Sequence, residues 1–280
     1  LNKIEKFIQE VFWRVYWKGW MEGRGKVWQN YNKNLKSLIS EYSFGEKKDN
    51  YDTALNGETG IDCFDDWIKE LINYGYLHNH SRMWFASIWI HTLKLPWELG
   101  ANFFLKNLVD GDPASNTLSW RWVAGLHTQG KCYVASEDNI KKFSSERYLQ
   151  KNILNKEISL PEFQSFIFEK KQFDTQNFSK RNNLILLNIN NLSYLDETIQ
   201  MMKENYICFI NHDEVYDYSD LPRKFNKKST DEYISFLKTK KIECETFSNF
   251  ENFFSFFEKS EFSKIFTFYP SIGYELDFLN

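Results

Sequence analysis

All ten tryptophans of this 280-residue sequence lie between Trp13 and Trp122, and no other feature constrains the fold as strongly. Eleven of the twelve glycines also fall at or before Gly130, which leaves Gly273 alone in a remainder rich in Phe, Asn and Lys. Indole rings are large and rigid, so they need a deep core or flat partners to stack on. A chain that concentrates them at one end is expected to hold two differently built modules, and its length allows two domains.

The tryptophan-rich part reads as helical. From Leu1 to about Met21, the residues Ile4, Phe7, Ile8, Val11 and Val15 recur at helical spacing and are expected to form one buried stripe. Glu10, Trp13, Arg14 and Trp17 cluster on a second face roughly 120° away. Core packing alone explains the indoles there but not the carboxylate and guanidinium among them. Residues 30–60 read as polar and irregular, ending in the breaker run Asn56-Gly57-Glu58-Thr59-Gly60. Asp62 to Tyr74, Asn79 to Leu93 and Trp97 to Val109 then read as three helices, separated by Gly75 and Pro96. Asp112-Pro113 supplies an N-cap acceptor and a proline for the first turn of a helix reaching about Ala124.

The remainder changes character. Residues 145–180 form a charged connection without a clear period, and 181–280 a smaller α/β domain. In it, Asn183–Ile189 is a run of the buried-strand type. A helix is expected at Leu195–Lys203, a strand at Tyr206–Ile210, a helix at Thr230–Lys240, a strand at Glu243–Phe247, a helix around Phe250–Phe257 and a last strand at Lys264–Tyr269. Alternation of this kind implies a parallel sheet. No glycine-rich phosphate loop follows the first strand, so the sequence does not support a nucleotide site of that type.

Charge narrows the partners. Lys and Arg number 35 against 38 acids, so nucleic-acid binding would need a local basic patch rather than net charge. Arg14, Lys18, Arg24 and Lys26 make the best such cluster, and they also suit a solvated helix face. Cys63, Cys132, Cys208 and Cys244 show neither CxxC spacing nor histidines at ligand intervals, so reduced structural thiols and no metal are expected. Neither a membrane-length apolar run nor a secretory leader is present, which makes the cytoplasm the expected compartment. Opening on Leu inside an apparent helix, the sequence is expected to be a fragment lacking an N-terminal part.

The most informative stretch runs from Thr59 to Gly125. Asn79, Arg82 and Met83 sit at i, i+3 and i+4 and so share a helix face. Asp110 and Asp112 bracket Gly111, and Asp112, Asn116 and Trp120, spaced by four, line one side of the next helix. A buried Arg82 would need a carboxylate, and Asp110 is the candidate. Each feature alone has an ordinary structural explanation as a cap or a core residue.

Together they resemble the FAD-binding domain of the photolyase/cryptochrome family. The matching residues are Glu10-Val-Phe-Trp-Arg14, Thr59-Gly60, Gly75-Tyr-Leu-His-Asn79 with Arg82-Met83, Trp97, Asp110-Gly-Asp112, Ala114-Ser-Asn116 and Trp120-Arg-Trp-Val-Ala-Gly125. The resemblance implies an all-α FAD-binding domain over 1–144. There Asp110, Gly111 and Asp112 hold the polar edge of the flavin, Arg82 pairs with Asp110, and Asn116 faces the reactive ring nitrogen. It also implies that Trp120 and Trp97 donate electrons in sequence, that Glu10 and Asn79 hydrogen-bond a pyrimidine dimer in single- or double-stranded DNA, and that Trp13 and Trp122 stack on it. Met83 resembles the residue type of cyclobutane-dimer enzymes, and Arg14 would meet phosphate.

The sequence also departs from the family. Ala54 stands where the outermost tryptophan of the electron chain is expected, with Tyr51 a possible substitute. Phe7 stands where many relatives have Trp, and Leu126–Lys131 replaces the usual continuation. The α/β module follows the helical one, whereas family members place such a domain first. It resembles only faintly a permuted antenna-type domain, and any antenna chromophore is unknown. The leading reading is a monomeric flavoenzyme, a deoxyribodipyrimidine photo-lyase that splits cyclobutane dimers with light. The alternatives are a cryptochrome-like blue-light photoreceptor without repair activity and a helical interaction module that has lost its cofactor.

Overall fold

The computed structural model describes residues 2–158, 161–171, 183–210 and 217–279. Residues 172–182, which hold the end of the expected connection and the start of the expected second domain, lie outside the described residues. The chain divides into two units, the first built from residues up to Lys170 and the second carrying the sheet.

The first unit is helical: α1 (Asn2–Glu22), α2 (Gly25–Glu41), α3 (Gly45–Asn56), α4 (Asp62–Tyr74), α5 (Asn79–Ser87), α6 (Trp97–Asn107), α7 (Pro113–Val123) and α8 (Glu137–Phe143). Between α5 and α6 the chain widens into a π-helical turn, Ile88–Thr92, closed by the Leu93 N–H donating to the Ile88 carbonyl at 2.9 Å. The core gathers Phe64, Ile68, Leu71, Phe85, Trp89, Leu99, Leu118 and Trp120. Removing such aromatic and aliphatic side chains from water contributes about 1.5–3 kcal/mol each.

Local chemistry sets the helix ends that matter. The Gly75 N–H donates to the Leu71 carbonyl at 2.8 Å, with Gly75 at φ +65°, a backbone region open to glycine at little cost. The Gly75 carbonyl in turn accepts from the Val109 N–H at 2.9 Å, tying the end of α4 to the loop that carries Asp110. At α7, Asp112 is the N-cap and Pro113 takes the first turn, as the Asp-Pro pair implies.

Two expectations for this unit need correction. Residues 30–60 are not irregular, because α2 and α3 occupy most of them. The stripe of α2 is Val27, Trp28, Tyr31 and Leu35, and it begins upstream of residue 30, so a window opening there misses half of it. α3 buries only Ala54 and is otherwise a solvated helix with a Lys48–Asp52 pair one turn apart.

The apolar stripe of α1 is also not buried. Ile4, Phe7, Ile8, Val11 and Val15 face solvent, from 45% exposed at Ile8 to 70% at Phe7. The helix packs through its last turns, where Met21 is fully buried and Trp17 and Trp20 meet His127. Periodicity identified the helix correctly, but no element among the described residues covers that stripe.

The second unit has β1 (Leu184–Leu187), α9 (Asp196–Lys203), β2 (Tyr206–Ile210), α10 (Asp220–Thr239), β3 (Cys244–Phe247), α11 (Phe250–Lys259), β4 (Ile265–Phe266) and α12 (Tyr274–Leu279). The four strands are parallel in the order β3-β2-β1-β4. Both faces of the two central strands are buried. Ile185, Leu187, Ile207 and Phe209 pack against Met202, Tyr233 and Leu237, while Leu184, Leu186, Cys208 and Ile210 pack against Phe250 and Phe253. Side chains alternate across a strand, so a strand covered by helices on both faces reads as a continuous apolar run. Helix α10 starts ten residues before the expected Thr230, because its first half is polar and carries little apolar pattern. The last strand is only two residues long, against the expected Lys264–Tyr269.

No helix among the described residues is long and apolar enough to cross a membrane, and none of their His, Cys, Asp and Glu side chains gather in threes as a metal site would.

Candidate functional site

One cavity in the first unit gathers most of the polar residues singled out above. It has a volume of about 220 Å³, and its walls come from α5, the Leu108–Asp112 loop, α7 and one residue of α6. From α5 come Asn79, Arg82, Met83 and Ala86, the i, i+3, i+4, i+7 face of one helix. The loop supplies Asp110, Gly111 and Asp112, and α7 supplies Asn116, Trp120 and Trp122.

The polar groups are held by specific partners. Arg82 Nη2 lies 3.1 and 3.0 Å from the two carboxylate oxygens of Asp110, and Arg82 Nε donates to the Leu77 carbonyl at 2.7 Å. Asp112 is 8% exposed. Its Oδ1 accepts from the Ser115 N–H at 2.8 Å and its Oδ2 lies 3.2 Å from Lys18 Nζ, so the buried charge is both capped and paired. Asn116 donates from Nδ2 to the Ala101 carbonyl at 2.9 Å, which fixes its amide and leaves Oδ1 and one N–H for the cavity.

Helix α1 reaches the rim through two cations. Arg14 Nη2 donates to the Asp110 backbone carbonyl at 2.7 Å, and Lys18 pairs with Asp112 as above. Glu10 is exposed and is not part of the cavity wall. Trp13 is 53% exposed and stacks on Trp17 at 6.0 Å, also away from the wall. Trp122 stacks on Tyr133 at 5.6 Å and does line the cavity. Trp97 sits apart in the core, against Tyr31 at 5.5 Å and under the Arg121 guanidinium at 5.8 Å. Burial lowers Arg121 to about 10, against the opposing pull of Glu98, so it stays cationic at neutral pH. Glu98 is itself pushed up by burial and accepts from Asn34 at 3.1 Å.

The sequence reading gave no role in the wall to Ala86, Phe104, Leu108 and Ser119, or to Ser115 and Val123, which it named only within matching motifs. Ala86 continues the spacing of Asn79, Arg82 and Met83, and Ser119 lies three residues after Asn116, so helical spacing carried a signal for both. Phe104 and Leu108 left none, since their place in the wall depends on how α6 packs.

The cavity suits one end of an extended polar-edged ring system. Its 220 Å³ is below the roughly 300–1,000 Å³ of pockets that enclose a whole drug-sized ligand. An apolar floor of Ala86, Phe104 and Leu108 lies beside carboxylate, guanidinium and amide groups already held in place. This donor set fits a planar heterocycle with hydrogen-bonding groups along one edge.

The comparisons with known proteins agree with that chemistry. Residues 7–153 match the family model described as the FAD binding domain of DNA photolyase. A deoxyribodipyrimidine photo-lyase of Streptomyces griseus is 31% identical over 155 residues, covering 51% of this chain and 33% of that protein. The enzyme of the same name from Agrobacterium fabrum is 27% identical over 174 residues, covering 57% of this chain and 36% of the relative. Among solved structures, a bacterial class III photolyase from Agrobacterium tumefaciens aligns with a TM-score of 0.43 at 28% identity, over 51% of this chain and 30% of that one. The chain therefore spans about a third of the length of these curated relatives. The family model covers more than half of the chain, including the whole cavity, and the chain belongs to the family of FAD-binding domains of DNA photolyase.

Proposed function

We propose that this chain takes part in light-driven repair of cyclobutane pyrimidine dimers in DNA, with FAD held in the cavity between α5 and α7. One observation carries the reading: the Arg82–Asp110 pair, the fixed Asn116 amide and Trp120 converge on a single cavity in a chain of this family. The cavity would hold FAD, which in its reduced form would supply the light-driven electron that opens the dimer and take it back once the two joining bonds had broken.

The chain's own residues do the positioning. Asp110 would accept hydrogen bonds from the polar edge of the ring, and Arg82 holds that carboxylate in place. Asn116 offers an acceptor and a donor without adding a charge, which suits a cofactor that changes protonation state. Asn79 and Trp122 stand on the wall where a flipped base pair would enter, one to donate a hydrogen bond and the other to stack.

A second reading, a blue-light photoreceptor without repair, is favoured by one observation. Glu10 and Trp13, the other two residues implied in dimer binding, lie off the cavity wall and in solvent. The deciding experiment purifies the chain, measures its flavin absorption spectrum with and without added FAD, and then illuminates it with an oligonucleotide carrying one thymine dimer. Light-dependent repair supports the enzyme. Bound flavin without repair of single- or double-stranded substrate rejects the enzyme and leaves the photoreceptor.

A further inference from the structure

We propose that an electron vacancy formed at Trp120 leaves the cavity through Trp89 and Tyr51 to Tyr42, and not through Trp97. The proposal rests on the flavin reading above and specifies which residues would carry charge to the surface.

The rings make a continuous path. Trp120, on the cavity wall, meets Trp89 edge to face at a centroid distance of 6.2 Å. Trp89 meets Tyr51 at 5.9 Å, and Tyr51 meets Tyr42 at 6.1 Å, again edge to face. Packing sets the first contact: Trp89, in the π-helical turn, stacks at 6.0 Å on Phe85 four residues earlier, and Phe85 meets the same Trp120 ring at 6.2 Å. Gly100 lies under both indoles, and a Cβ there would overlap the edge of the Trp120 ring and stand 3.0 Å from Trp89 Cε2.

The path also has favourable electrostatics. Trp89 Nε1 donates to the Pro96 carbonyl at 2.9 Å, which sets the negative end of a dipole against an indole that must become a cation. Tyr51 and Tyr42 are only partly buried, so water can take a phenolic proton. Burial and, secondarily, the Asp52 carboxylate raise Tyr51 to about 12, which keeps that proton in place until the ring is oxidised.

The competing branch lacks these properties. Trp97 shares no ring contact with Trp120 among the described residues. It leads instead to Tyr31 and Trp28, each 1% exposed. The Arg121 cation lies 5.8 Å from the Trp97 ring centre and opposes a positive charge on that indole; Lys47 Nζ lies equally far from the Tyr42 ring, which loses its proton on oxidation and ends neutral.

The steps balance. Trp120 loses one electron to a photoexcited oxidised flavin, the oxidant the proposal requires, and becomes a radical cation. It regains an electron from Trp89, which regains one from Tyr51. The Tyr51 proton passes to water, leaving a neutral tyrosyl radical. Tyr42 then gives up an electron and its proton, and Tyr51 recovers both, its proton from water.

The test freezes the FAD-loaded protein after a blue flash and identifies the radical by electron paramagnetic resonance with deuterated tyrosine, a readout of radical identity and not of turnover. The expected result is a tyrosyl signal that Tyr51→Phe removes, that Trp89→Phe lowers at least tenfold in yield, and that Trp97→Phe leaves unchanged. Tyr51→Phe removes a single hydroxyl and keeps the ring packing, so it carries the test if Trp89→Phe disturbs the core. A tyrosyl signal undiminished in both Trp89→Phe and Tyr51→Phe, or one lost in Trp97→Phe, overturns the route while leaving the flavin reading intact. A chain that takes up no flavin, or whose flavin emission is equally quenched in Trp120→Phe, overturns the flavin reading and the route with it.

Discussion

Arg82 holds Asp110 through a single nitrogen, Nη2, placed 3.1 and 3.0 Å from the two carboxylate oxygens, while Nε of the same guanidinium is anchored on the Leu77 carbonyl at 2.7 Å. The pair is partly open to solvent, at 24% and 43% side-chain exposure. Exposed pairs of this kind contribute about 0.2–1 kcal/mol to stability. The arrangement therefore matters more for aiming a carboxylate than for holding the fold.

Asp110→Asn is accordingly expected to shift the urea midpoint little while weakening FAD. Loss of a charged hydrogen bond costs about 1.5–3 kcal/mol, roughly a tenfold to hundredfold rise in the dissociation constant. Flavin titration followed by fluorescence reads the second effect and urea denaturation the first. Equal affinity in both proteins would remove Asp110 from the site.

Gly100→Ala tests the packing that brings Trp120 and Trp89 together. The added methyl would collide with the Trp120 ring inside a filled core, and overpacking of this kind costs about 1–3 kcal/mol. The expected outcome is a lower urea midpoint together with an altered near-ultraviolet circular dichroism signal from the paired indoles. An unchanged near-ultraviolet spectrum would mean that the two rings are not held in contact at this glycine.

Part of this architecture was legible in the sequence because local rules and tertiary structure agree there. Asp112, Asn116 and Trp120 share a face at spacing four, and Asp-Pro starts that helix, so neither inference needed knowledge of packing. The run Leu184–Leu187 reads as a strand buried on both sides for the same reason. The contact between Trp89 and Trp120 was not legible. Helical spacing puts Trp89 on the face of Phe85, but which ring of another helix that face meets depends on how α6 and α7 pack against it. The exposure of the α1 stripe was hidden too, since periodicity reports which residues share a face and not whether anything covers it.

Asn79 and Glu10 are expected to differ in repair. Asn79 lines the cavity, whereas Glu10 lies in solvent off its wall. Asn79→Ala should slow blue-light repair of a thymine dimer by about tenfold, the cost of one hydrogen bond, with the flavin spectrum retained. Glu10→Ala should change the rate far less. A large loss at Glu10 would show that α1 moves toward the cavity when DNA binds.

The last prediction concerns acid stability and follows from two histidines, His91 buried and His127 partly buried. His127 touches Trp17 at 4.9 Å and Trp20 at 4.8 Å, and burial, then the charges of Arg121 and Arg24, hold it below its usual value. His91 is lowered as well, chiefly by burial. A histidine that resists protonation only when folded binds its proton more readily in the unfolded chain, so acid favours unfolding. Its contribution is fully present above the unfolded value near pH 6.5 and is lost as the pH falls from there through the folded value. The urea midpoint is therefore expected to fall between pH 7 and pH 5. In His127→Phe, which keeps an aromatic ring between Trp17 and Trp20 but binds no proton, that fall should be shallower. Parallel curves for the two proteins would assign the acid sensitivity to other groups.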